Sequence, residues 1–180
     1  VNSFAVMEEW NRDLQGIPVC AVATSAVREA RDGQAFLAEV RWRFGWHCRI
    51  ASGAEEGALS FCGAVSTIPA GTVVAVLDIG GGSTEVALGK DGHVTWSHSY
   101  PLGAVRLTAA EQMGIRELKE VRKRCDETWL RQPVKPEKLI GVGGTLTSLA
   151  AIDARMDVYD PERVDGYVLS KKIGRASCRE

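Results

Sequence analysis

The longest purely apolar stretch near the middle of the chain is Val73-Val74-Ala75-Val76-Leu77, with no polar residue on either alternate set. Such a run of β-branched and aliphatic side chains predicts a strand buried on both faces. It ends at Asp78-Ile79, three glycines (Gly80-Gly81-Gly82) and Ser83, and a second short strand is predicted over Thr84 to Leu88. Lys90-Asp91-Gly92-His93 then gives a hairpin signal, with Val94 to Tyr100 returning as a third strand.

Other segments carry helical spacing. Phe4, Met7, Trp10 and Leu14 recur on one face, as do Phe36, Leu37, Val40 and Phe44 within a helix over 34–44. Pro18 to Ala23 and His47 to Ala51 are short apolar strands, each leading into a helix. Ser52-Gly53-Ala54-Glu55 has the capping-box pattern, which spends Glu55 on the helix start and leaves Glu56 to face a cleft. Thr108-Ala109-Ala110-Glu111 repeats that pattern before a charged helix over 116–130, whose Lys119, Arg122, Lys123 and Arg124 read as a solvated face. Leu139 to Val142 is a last strand, closed by Gly143-Gly144-Thr145 and followed by a helix over 146–154.

The glycine turn after Asp78 carries the first candidate chemistry. Glycines there allow positive φ and close approach of the backbone to a ligand. Consecutive N–H groups in that geometry form a nest for phosphate oxygens. Asp78, where the buried strand emerges, suits a hydrated divalent cation or a water, Ser83 offers a hydroxyl, and Glu85 brings a second carboxylate. The same residues also make ordinary hairpin turns, so this loop alone leaves both readings open. Arg28 follows a strand at a helix start, where unpaired N–H groups favour an anion contact; a solvated helix residue is the alternative. Gly143-Gly144 repeats the strand-to-helix logic, yet no Lys follows at P-loop spacing and the dinucleotide fingerprint is absent.

Composition narrows the partners. The net charge of −1 provides no global field for a polyanion, so a phosphate site has to be a local cluster of arginines and amides. Nucleic acid is therefore not an expected partner. No apolar run approaches the roughly 20 residues that span a bilayer, and no secretory pattern opens the chain. Five scattered cysteines without Cys-x-x-Cys spacing read as reduced core residues of a cytoplasmic protein.

Asp78-Ile79-Gly80-Gly81-Gly82-Ser83-Thr84-Glu85 resembles the second phosphate motif of the exopolyphosphatase and guanosine pentaphosphate phosphatase family, within the actin, hexokinase and sugar-kinase superfamily. Three further stretches resemble it in the expected order: Ala23 to Ala30, Ser52-Gly53-Ala54-Glu55-Glu56, and Gly141-Val142-Gly143-Gly144-Thr145. The likeness runs from about Ile17 to about Ser170.

The resemblance implies an α/β actin-like (ribonuclease H-like) fold, with residues 1–59 ending a first domain and 60–172 forming most of a second. The family's first phosphate loop and its helical C-terminal domains are not seen in the sequence, and 173–180 look like a non-native tail. Little turnover is expected of this stretch on its own. The implied reaction is release of orthophosphate from the end of polyphosphate, or from guanosine pentaphosphate, with a non-catalytic protein that binds polyphosphate or the alarmone as the other alternative. Glu56 matches the family's water-activating carboxylate, and partial burial is expected to make it a better base. Asp78 and Glu85 match acidic positions for Mg²⁺ or another divalent cation. Arg28, Gly80, Gly81, Gly82 and Ser83 would hold phosphate oxygens, with Gly143, Gly144 and Thr145 near a distal phosphate or a nucleotide. A homodimer is expected for the whole protein. Gly57-Ala58 departs from the Ala-Arg that the family often carries after the glutamate, which leaves substrate preference open.

Overall fold

A computed structural model describes residues 3–14, 16–112, 134–170 and 173. The helix predicted over 116–130, Cys125, Cys178 and most of the suspected tail lie outside them. The chain divides into two compact units, Val1–Glu56 and Gly57–Glu180.

The first unit contains α1 (Ser3–Asp13), β1 (Cys20–Ala23), α2 (Ser25–Glu29), α3 (Gly33–Phe44) and β2 (His47–Ile50). β1 and β2 pair in parallel, from Cys20 opposite His47 to Ala23 opposite Ile50. Leu37, Val40, Trp46 and Cys48 form the core, flanked by Phe4, Met7, Val27, Phe36 and Phe44. The helical spacing of α3 marks the face that packs, whereas in α1 only Phe4 and Met7 reach the core and Trp10 is exposed. α3 stops at Gly45, whose φ of 68° lets its N–H turn back to the Arg41 carbonyl. Arg41 in turn donates to Cys48 O at 2.7 Å, tying the helix end to β2.

The second unit continues α4 (Gly53–Ala64), whose first turn belongs to the first unit, and adds β3 (Val73–Ile79), β4 (Thr84–Lys90) and β5 (His93–Tyr100). α5 (Ala104–Gln112), β6 (Lys138–Val142), α6 (Gly144–Asp153) and α7 (Pro161–Val164) follow. The sheet order is β5-β4-β3-β6, with β4 antiparallel to both β3 and β5 and β6 parallel to β3. The uninterrupted apolar run thus becomes an inner strand, with Val74, Ala75 and Val76 buried. Phe61 of α4, fully buried, packs with Val74, Val76 and Ala87 and seats the helix on the sheet. The Asp91-Gly92 turn has φ of 52° and 75°, the two positive values that a tight two-residue hairpin requires.

Three expectations are corrected. Thr108 lies inside α5 and not at a helix start: its hydroxyl donates to the Ala104 carbonyl at 2.9 Å, one turn back. The capping box at Ser52 is half formed: Ser52 Oγ accepts from the Glu55 N–H, whereas the Glu55 carboxylate pairs with Arg49. The cysteines are not uniformly core residues, since Cys48 is buried but Cys20 and Cys62 are exposed; all three are free thiols. Burial pushes the Cys48 thiol up from its ordinary pKa, against the opposing pull of Arg41. Among the described residues, no helix is long and apolar enough to cross a membrane.

Candidate active site

In the second unit the sequence places Asp78 at the emerging end of β3, and the register sets Glu85 of β4 and Val142 of β6 beside it. Asp78 Oδ2 accepts a hydrogen bond from Ser60 of α4 at 2.6 Å. On the other side stands Gly143, the residue before α6, at φ 88°. A Cβ built on Gly143 would lie 2.6 Å from Asp78 Oδ1 and 3.0 Å from the Ile79 carbonyl oxygen. Only glycine combines that backbone angle with that approach. The second glycine turn predicted from sequence therefore closes against Asp78, at the end of the strand that leads into the first. Gly144 opens α6 with free space around its Cα, and Thr145 sits in the first turn, half-buried.

The Gly80–Gly82 turn works differently from the nest expected of it. None of the three glycines has positive φ. The Gly80 N–H, expected to hold phosphate, donates to Ser83 O at 3.0 Å and closes the turn. The next three carbonyls are drawn toward α5: Gly80 O accepts from Ala104 N, Gly81 O from Arg106 N, and Gly82 O from Arg106 Nε at 2.8 Å. In a trans peptide the N–H points opposite to the carbonyl of the same unit. With no cis bonds present, the amides of Gly81, Gly82 and Ser83 are all aimed away from α5. The amides that share one direction are thus those of Gly81, Gly82 and Ser83, one residue along from the expected Gly80-Gly81-Gly82 set. Gly103 allows this, because a Cβ there would collide with the Gly81 carbonyl.

Two buried polar groups follow this turn in the chain. Ser83 is only 3% exposed, and among the described residues its hydroxyl has no hydrogen-bond partner. A buried hydroxyl left without a partner costs free energy. Glu85, 2% exposed, accepts from Ser99 Oγ at 2.7 Å. Gly57 packs over it, with an added Cβ at 3.6 Å from Glu85 Cβ. That is ordinary contact, so the space imposes no demand for glycine at this departure from the family pattern.

The donor set fits a hard divalent cation. Asp78 and Glu85 are direct cross-strand neighbours, so their carboxylates are near enough to share one cation. Among the described residues no cluster of three or more metal-ligating side chains occurs. Mg²⁺ commonly takes one or two carboxylates and fills its remaining positions with water and phosphate oxygens, which matches this pair.

In the first unit, Arg28 of α2 and Glu56 of α4 are brought together. Arg28 Nη1 donates to Glu56 Oε2 at 3.0 Å and to the Ala51 carbonyl at 2.8 Å. The Glu56 side chain is 16% exposed and that of Arg28 24%. The carboxylate expected to stand free is thus held by the arginine expected to hold phosphate.

Sequence reasoning missed Ser60, Ser99, Gly103 and Arg106. Ser60 had one visible signal: a lone hydroxyl between Leu59 and Phe61 on an otherwise apolar helix stretch. The others act through backbone or cross-strand contacts that no local spacing reveals.

The sequence pattern of the Ppx/GppA phosphatase family matches residues 4–176. Exopolyphosphatase 2 of Mycobacterium tuberculosis is 34% identical over 154 residues, covering 77% of this chain and 48% of that protein. The bifunctional 3-dehydroquinate synthase/phosphatase of Fusobacterium nucleatum is 28% identical over 166 residues, covering 86% of this chain and 25% of that protein. Among solved structures, a Ppx/GppA family member from Aquifex aeolicus superposes with a TM-score of 0.77 at 30% identity, covering 97% of this chain and 60% of that one. The chain spans about half the length of the mycobacterial relative. The fold is the α/β actin-like one, and the chain belongs to the Ppx/GppA phosphatase family.

Proposed function

We propose that the whole protein hydrolyses the terminal phosphoanhydride of inorganic polyphosphate. In this reading residues 1–59 end the first actin-like domain and 60–172 form most of the second. The observation that carries it is the Asp78 carboxylate against the Gly143 turn, on the strand that leads into three amides aimed one way and a buried hydroxyl with no hydrogen-bond partner among the described residues. Such a site recognises a tetrahedral anion by backbone N–H groups, without needing a net positive surface. The similarity to an exopolyphosphatase favours polyphosphate as the anion.

Glu56 takes a proton from a water, whose oxygen attacks the terminal phosphorus as the bridging P–O bond breaks. Orthophosphate and a polyphosphate one unit shorter result. Arg28 fixes Glu56 through Nη1 and keeps its other nitrogens for a phosphate oxygen. Gly81, Gly82 and Ser83 amides, with the Ser83 hydroxyl, hold the phosphoryl oxygens, while Gly143, Gly144 and Thr145 lie near a distal phosphate. Asp78 and Glu85 would hold Mg²⁺, which supplies charge neutralisation on the transferring group.

The test is orthophosphate release by the full-length protein with Mg²⁺, comparing kcat/KM for long-chain polyphosphate and for guanosine pentaphosphate. The proposal expects polyphosphate to be preferred. A preference for guanosine pentaphosphate would move the substrate to the nucleotide, and formation of ATP from ADP and polyphosphate would replace hydrolysis by transfer.

A further inference from the structure

We infer that Ser60 is a positioning residue that sets the Asp78 carboxylate for the cation; this rests on the cation role proposed above for Asp78. Ser60 lies between exposed Leu59 and fully buried Phe61, the residue that anchors α4 to β3 and β4. A serine inside a helix commonly turns its hydroxyl back onto a carbonyl of the preceding turn. Ser60 instead donates across to Asp78 Oδ2 at 2.6 Å, a length typical of a hydroxyl bonded to an ionised carboxylate.

The bond acts on a carboxylate that is confined from the opposite side too. Asp78 Oδ1 stands where a Cβ on Gly143 would be 2.6 Å away, so the α6 turn closes against it. With Oδ2 engaged by α4 and Oδ1 against Gly143, rotating the carboxylate means breaking the Ser60 bond. The cross-strand partner is held likewise, since Ser99 of β5 donates to Glu85 Oε1 at 2.7 Å. Each carboxylate is therefore oriented by one serine from a different element. Hydroxyls that bond the outer oxygen of a metal-binding carboxylate fix its direction and tune its affinity.

The experiment uses the full-length protein, as wild type, Ser60→Ala and Ser60→Thr. Binding of Mn²⁺ alone is measured by titration calorimetry and by electron paramagnetic resonance, together with the Mg²⁺ concentration giving half-maximal phosphate release. Ser60→Ala is expected to weaken Mn²⁺ binding by about 10- to 100-fold, the usual span for such partners. The half-maximal Mg²⁺ concentration rises in parallel while the rate at saturating Mg²⁺ changes much less. Ser60→Thr, which keeps the hydroxyl, restores most of the binding. Should Ser60→Ala not fold, Ser60→Cys keeps the volume with a weaker donor and serves the same comparison. Wild-type Mn²⁺ affinity in Ser60→Ala, or equal weakness in Ser60→Thr, overturns the role of Ser60 and leaves the proposed reaction standing. A folded wild type that binds no Mn²⁺ overturns the cation site itself, and Ser60's role with it.

Discussion

Arg28 Nη1 joins the Glu56 carboxylate, at 3.0 Å, to the Ala51 carbonyl, at 2.8 Å, so that one nitrogen ties the end of β2 to the first turn of α4. Glu56 is oriented by this bridge and is not a loose surface carboxylate. Its placement is a property of the pair.

Arg28→Lys should therefore disturb more than charge. A lysine ammonium is a single point that cannot hold both oxygens and still present a planar fork to phosphate. Hydrogen bonds to charged groups contribute about 1.5–3 kcal/mol, which corresponds to a loss of roughly 10- to 100-fold in kcat/KM. Steady-state kinetics of the full-length variant on polyphosphate check this. A loss confined to KM would assign Arg28 to substrate alone.

Ser83→Ala separates ligand binding from stability. Among the described residues its buried hydroxyl has no partner, so removing it leaves unfolding free energy unchanged or slightly raised. If the hydroxyl meets phosphate, KM for polyphosphate rises about 10-fold, the value of one ordinary hydrogen bond. Urea unfolding beside kinetics gives both numbers.

The two neighbouring glycines of the second turn should respond unequally. Gly143→Ala forces a methyl against Asp78 at a positive φ and is expected to cost about 1–3 kcal/mol. Gly144→Ala meets nothing within 4 Å at the start of a helix and should stay within about 0.5 kcal/mol of wild type. Chemical denaturation of both variants provides the comparison.

Much of the architecture is legible in local patterning. The apolar run at 73–77, the Asp91-Gly92 turn and the spacing of Leu37 and Val40 each announce their elements, because burial and turn geometry act on neighbours in sequence. The candidate site was legible as a set of motifs, but not as a set of bonds. The one-residue shift of the aligned amides arises because α5, 24 residues on from Gly82 at Arg106, draws the Gly80, Gly81 and Gly82 carbonyls to itself. The Arg28–Glu56 bond and the Ser60–Asp78 bond likewise join residues far apart in the chain, where periodicity carries no signal. Thr108 shows the converse failure: a capping pattern matched by residue type was overruled by a hydroxyl bonded inside the helix.

The most direct measurement is phosphate release from long-chain polyphosphate by the full-length protein beside its Glu56→Gln variant, with Mg²⁺ saturating for both. Glutamine preserves size and a contact to Arg28 but cannot take the proton. A fall of at least ~100-fold, the ordinary scale of general-base catalysis, is the predicted result. Unchanged release would contradict the account and move proton removal from Glu56 to another carboxylate, with Asp78 the next to test.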